Sequence, residues 1–301
     1  MSWKLSAVTS RRAVESALDR REELLGWDES IVLTGFEVDP EQPDTWRLDA
    51  YTHGKPGEAE RAAVHSLFDE PVPPILAEQL PDTDWIAESQ KGVDPIRAGR
   101  FRVRTPDHKP LNDPTLTEFV IPAAQAFGTG QHETTAGCLE MLDVMRRQGL
   151  HPRSIADIGT GTGLLGFAAM DLWPHSFVTA SDIDPVCGPA VIYNCKLNNL
   201  PLGTRRGEFA VVIADGMDDP ALQARAPYDL LIANILAGPL IEMAHDFAEA
   251  VAPRGSILLA GLLERQEQGV RAAYRQAGFR IHRRIVNGDW SILWLRRRFA
   301  G

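Results

Sequence analysis

A chain of 301 residues with 44% hydrophobic and 24% charged content is long enough for about two domains with real cores, and no run of about 18 apolar residues marks a membrane span. The formal charge of -10 argues against direct nucleic-acid binding, because phosphate contacts call for a basic face. Cys138, Cys187 and Cys195 form no C-x-x-C pair and no even set, so buried free thiols are expected and a metal is not.

The first residues, MSWKLSAVTSRR, lack the apolar core of a secretory leader, and a cytoplasmic location is expected. Trp3 to Thr9 reads as a strand, and Ser10 as the cap of a helix carried by Val14, Ala17, Leu18 and Leu25. Ile31 to Val38 and Thr45 to His53 are β-rich runs around a Pro/Asp turn, which predicts a hairpin. A helix over Gly57 to Phe68 and a strand over Ile75 to Leu80 complete a βαββαβ order, that of a small α+β ferredoxin-like domain. Residues 1–82 hold 8 Lys+Arg against 17 Asp+Glu, a net of -9, which leaves -1 for the remainder. Such an acidic module suits solubility or the steering of a basic partner. Asp82 to Arg100 (DTDWIAESQKGVDPIRAGR) reads as a short helix stopped near Gly92 and Pro95 and then an extended segment, a connector over 83–100.

From Phe101 strands alternate with helices, the mark of an α/β domain with a parallel sheet over 101–301. Phe119 to Pro122 is extended, AFGTGQHETT (126–135) is a Gly-rich loop, and a helix follows from about Glu133 to Arg147. In SIADIGTGTGLLG (154–166) a strand ends in Asp157, glycines fall at 159, 161 and 163, and a helix begins. That arrangement lets a ligand approach the backbone closely and offers it a helix N-terminus. Gly161, Gly163 and Gly166 also satisfy the G-x-G-x-x-G dinucleotide fingerprint, with Asp182 at the distance of its ribose-binding acid. Further strands are expected at Phe177 to Ser181, Phe209 to Ala214, Tyr228 to Ala233 and Ser256 to Ala260, with helices over Pro185 to Asn198, Leu236 to Val251 and Leu263 to Ala277. Phe279 to Val286, Asn287-Gly288 and Trp290 to Arg297 make a terminal hairpin, which a dinucleotide dehydrogenase would not end in.

The Asp157-x-Gly-x-Gly-x-Gly run, Asp182, Asn234 in ANIL, AFGTGQHETT, DWIAESQKGVDPIRAGRF, NILAGPL and NGDW together resemble the PrmA family of ribosomal protein L-eleven methyltransferases. The resemblance implies a seven-stranded Rossmann-like methyltransferase domain. It implies S-adenosylmethionine as cofactor, S-adenosylhomocysteine as product, and no metal. By it, Thr135, Asp157, Gly159, Gly161, Asp182 and Asn234 contact the cofactor, and Asn234 orients the incoming amine as the catalytic residue. His132 and Glu133 are polar neighbours for which proton transfer is the less favoured role. The implied substrate is a basic ribosomal protein methylated on lysines and its N-terminal amine, docked by residues 1–82 of a monomer. ANIL lacks the prolines and aromatic residue with which nucleobase methyltransferases stack a flipped base. A lysine methyltransferase of the electron-transfer flavoprotein type and a nicotinamide-dependent oxidoreductase stay open as alternatives.

Overall fold

The structure is a computed structural model that describes residues 3–23, 27–28, 31–38, 44–52, 54–69, 71–79, 94–111, 113–122 and 131–298. The chain divides into two compact units, residues 1–88 and 89–301.

In the first unit, β1 (Trp3–Ser10), α1 (Arg11–Glu23), β2 (Val32–Glu37), β3 (Thr45–Thr52), α2 (Glu58–Ser66) and β4 (Ile75–Gln79) follow the expected order. The strands lie β2-β3-β1-β4, each antiparallel to its neighbours. Strand alternation sends Leu5, Ala7, Leu48 and Ala50 into a core shared with Val14, Ala17, Val64 and Leu67 of the helical segments. Among the described residues the opposite face has no such cover: Val8, Val32, Phe36 and Leu76 are exposed there. At its centre Asp49 is fully buried, accepting from Ser6 Oγ at 2.6 Å and lying 3.1 Å from the Arg47 guanidinium. The helix expected before Gly92 lies outside the described residues.

The second unit begins with a small sheet of β5 (Ile96–Ala98), β6 (Phe101–Arg104) and β7 (Thr117–Val120), so the extended end of the connector is itself a paired strand. After α3 (Gln131–Arg147) come β8 (Ser154–Ile158), α4 (Leu164–Leu172), β9 (Phe177–Asp182), α5 (Cys187–Leu197), β10 (Phe209–Ile213), α6 (Pro220–Arg225) and β11 (Tyr228–Asn234). Then follow α7 (Ala237–Glu242), α8 (Ala244–Ala250), β12 (Val251–Leu263), α9 (Glu267–Gln276), β13 (Phe279–Asn287) and β14 (Trp290–Arg297). These strands form a seven-stranded sheet of order β10-β9-β8-β11-β12-β14-β13, parallel except for the terminal hairpin. Two apolar layers, one on each face, bury β8 and β11 completely at Ile155, Ala156, Leu231 and Ala233. That explains why YDLLIA reads as continuously apolar. The α4 helix is buried at every position but Asp171, because it lies inside one of those layers.

Some boundaries differ from expectation. The single helix expected over Leu236 to Val251 is two helices with a break at Met243, and β12 continues to Leu263 before a 3₁₀ turn at Glu264–Gln266. The α6 helix was not expected, although it carries a legible start: Pro220 opens it and Asp219 accepts from Ala221 N at 2.7 Å. Among the described residues no helix is long and apolar enough to cross a membrane. The cysteines are free thiols; Cys138 and Cys195 are buried, while Cys187 is partly exposed.

Candidate functional site

The sheet order fixes where a ligand is held. From β8 the chain winds outward through β9 and β10; from β11 it winds the other way through β12. The switch point therefore falls between β8 and β11, and ligands of open α/β sheets gather at the carboxyl ends of strands there. Those ends carry Asp157 and Gly159 (β8), Asp182 (β9) and Asn234 (β11), so most of the expected site residues converge.

The glycine turn is held by its own hydrogen bonds. Asp157 is 1% exposed, and its Oδ2 accepts from Thr160 Oγ1 at 2.7 Å and from Gly166 N at 2.9 Å. Burial pushes this carboxyl up to about 6, against the pull of those two bonds, and the nearby Asp182 adds to the rise. Asp157 thus faces inward and shapes the turn. Asp182 is different. Its Oδ2 accepts from Gly161 N at 2.8 Å and its Oδ1 from Asp184 N at 3.1 Å, and it is only half-buried. Each oxygen keeps a second lone pair for a ligand hydroxyl. The Cys187 thiol is pushed up to about 11, first by burial and then by this carboxylate.

The glycines have separate jobs. Gly159, Gly161 and Gly163 all have φ between +55° and +87°, a region costly for residues with a Cβ. At Gly159 a Cβ would lie 2.2 Å from Ile235 Cγ2, so the β8 turn and the β11 turn press against each other. At Gly161 a Cβ would meet nothing within 4 Å: this backbone borders open space. At Gly163 a Cβ would strike Phe167, and at Gly166 it would strike Phe209, so the last two serve packing of α4. Gly261 brings β12 against the same β11 turn, where a Cβ would sit 2.3 Å from Ile235 O.

Asn234 ends β11 opposite Ala260 of β12, half-buried, and its side chain makes no hydrogen bond with the described residues. Thr135 lies half-buried in the first turns of α3. Residues 126–130 and the His132 side chain lie outside the described residues. Glu133 is exposed, and its carbonyl accepts from Asn287 Nδ2 at 2.9 Å, which ties NGDW to the start of α3. Three contributors had no place in the expected site. Thr160 braces Asp157, Ile235 fills the space over Gly159, and buried Asn194 of α5 donates to Thr162 O at 3.0 Å. Thr160 sits inside the recognised motif and could have been found; Asn194 carries no local signal.

A family profile described as "Ribosomal protein L11 methyltransferase (PrmA)" matches residues 14–298. The chain belongs to this family. A ribosomal protein L11 methyltransferase of Agrobacterium fabrum is 37% identical over 297 residues, covering 98% of each chain. One from Mesorhizobium japonicum is 38% identical over 276 residues, with 91% and 92% covered. Among solved structures, a ribosomal protein L11 methylase from Lactobacillus delbrueckii subsp. bulgaricus matches with a TM-score of 0.55 and 25% identity, covering 68% of this chain and 98% of that one. Membership makes the chain a methyltransferase. The nicotinamide reading is set aside, as the antiparallel β13–β14 end also indicates.

The residues fit the family's donor, S-adenosylmethionine. The space beside Gly161 would be filled by any Cβ there, and Asp182 stands at the strand end with lone pairs to spare.

Proposed function

We propose that the protein transfers methyl groups from S-adenosylmethionine to amino groups of ribosomal protein L11, lysine side chains and the N-terminal amine. The observation that carries this reading is the meeting of two turns at the switch point: the glycine turn with its Asp182 latch, and Asn234 with its unengaged amide. When bound, the cofactor supplies a methyl group on a sulfonium, open to in-line displacement. Asp182 accepts from ribose hydroxyls, Gly161 leaves the backbone accessible, Gly159 lets the β11 turn close against the glycine turn, and Thr135 adds a hydrogen bond from α3. Asp157 contributes by holding the turn in shape through Thr160 and Gly166.

Asn234 accepts an N–H of the incoming amine at its side-chain oxygen and aims the lone pair. A free lysine titrates near 10.4, and desolvation on docking lowers that value, so positioning does most of the work and no dedicated base is needed. Residues 1–82 form a ferredoxin-like docking domain, joined by a connector over 83–100 to the seven-stranded methyltransferase domain of 101–301. The domain's net of -9 and the exposed Val8, Val32, Phe36 and Leu76 on its open sheet face support docking of a basic protein. The relatives' shared name supports the identity of that protein.

The test is incubation with isotope-labelled S-adenosylmethionine and hypomethylated ribosomes, followed by mass spectrometry of intact proteins. The expected result is whole methyl increments on L11, lost when residues 1–82 are removed. Methylation of a different protein with L11 untouched would overturn the substrate; label transfer to none would overturn the reaction.

A further inference from the structure

The whole-chain charge of -10 conceals a region of opposite sign. Residues 264–298 hold nine arginines and no lysine, against only Glu264, Glu267 and Asp289. The fold gathers many of these arginines around a cleft of about 730 Å³ between α9 and β13, the outer strand of the seven-stranded sheet. Half-buried Ala272 and Ile281 supply its exposed apolar surface, while Tyr274, Phe279 and Leu295 lie beneath it, each at most 2% exposed.

Two of its arginines are committed. Arg284 bonds Glu267 and Glu264, each at 2.6 Å, and Arg271 reaches Glu267 at 3.2 Å. Arg275, Arg280 and Arg298 are exposed on the rim and have no carboxylate partner among the described residues. The field is felt nearby: His282 is held below its usual range, by burial first and then by Arg296, Arg280 and Arg283. Charged residues on an edge strand also deter sheet-to-sheet pairing, but β13 alone accounts for few of them. Arg275 lies on a helix and Arg298 beyond β14.

We propose that this cleft binds single-stranded RNA, its phosphates and a stacked base held by the exposed guanidiniums of Arg275, Arg280 and Arg298. Guanidinium forks match phosphate oxygens two at a time and also stack on bases, which explains arginine without lysine. A volume of this size takes one or two nucleotides of a longer strand. An acidic peptide would use the charges but offers no base for the guanidinium planes to stack on. The site stands apart from the methyl-transfer site and does not depend on the proposed substrate.

The experiment is fluorescence anisotropy of a labelled single-stranded RNA of about 12 nucleotides. The full-length protein is used, saturated with S-adenosylmethionine so that the cofactor site is filled. Wild type should bind at low salt. The triple variant Arg275→Gln, Arg280→Gln, Arg298→Gln should bind at least ~10-fold more weakly, with a salt slope shallower by about 2 for three lost contacts. It should keep the thermal shift given by S-adenosylmethionine, which shows that it folds. Unlabelled RNA should displace the probe while polyglutamate and a mononucleotide at equal phosphate or carboxylate concentration should not. No binding by wild type, equal binding by the variant, or equal displacement by polyglutamate or the mononucleotide would overturn the proposal.

Discussion

The turn after β8 and the turn after β11 lie side by side and are built in opposite ways. The first is held by hydrogen bonds: its own Asp157 takes Thr160 and Gly166, and Asp182 at the end of β9 takes Gly161, so its shape is set before any ligand arrives. The second is held from outside, by Gly159 against the Ile235 side chain and Gly261 against the Ile235 backbone, while Asn234 keeps its amide uncommitted. A turn fixed by hydrogen bonds is suited to gripping a constant ligand. A turn held by packing, with a polar group to spare, is suited to touching a substrate that comes and goes.

Breaking the second turn's function should have the largest effect. Asn234→Ala should lower kcat by about 100- to 1000-fold, roughly 3–4 kcal/mol in the barrier, with little change in cofactor affinity. Steady-state kinetics against a saturating protein substrate would show it.

The first turn should be exposed by pH. An unfolded Asp titrates near 3.9, whereas folded Asp157 titrates at about 6, so between these values the folded chain holds a proton that the unfolded chain has released. Its contribution to stability is full below about pH 4 and is lost as the pH rises through about 6. Asn cannot ionise and escapes that loss. Relative to wild type, Asp157→Asn should gain up to about 3 kcal/mol between about pH 4 and about pH 7, measured by urea unfolding at both. A constant difference across that range would mean that Asp157 is not desolvated.

Two glycine substitutions sharpen the contrast. Gly261→Ala sets a Cβ against the Ile235 backbone at positive φ, and should cost about 2 kcal/mol of stability as well as activity. Gly161→Ala meets no protein atom, so it should cost only about 1 kcal/mol, from its backbone conformation, while weakening cofactor binding. Chemical denaturation and calorimetry of both variants would separate strain from lost space.

Much of this was legible in the sequence because it is local. Alternating glycines between a strand and a helix, an acid ending the next strand, and Asn-Gly between two β-rich runs each declare a turn through nearby residues. What escaped depends on residues distant in the chain. Gly159 is required by Ile235, a neighbour only because β8 and β11 pair. The inward turn of Asp157 follows from burial under α4, which no spacing reveals. The extension of β12 to Leu263 reflects pairing with Trp290 and Ser291, which overrides the helical pattern expected from Leu263 onward. Net charge conceals spatial grouping in a similar way, since a sum over the chain hides the arginines that β13, β14 and α9 bring together.

The division of labour between the two turns is tested most directly by isothermal titration of S-adenosylmethionine into Asp182→Ala and Asn234→Ala under one set of conditions. Loss of two charge-assisted hydrogen bonds should raise the Kd of Asp182→Ala by about 100-fold or more, while Asn234→Ala stays within about 3-fold of wild type. Equal loss of binding in both variants would contradict the account.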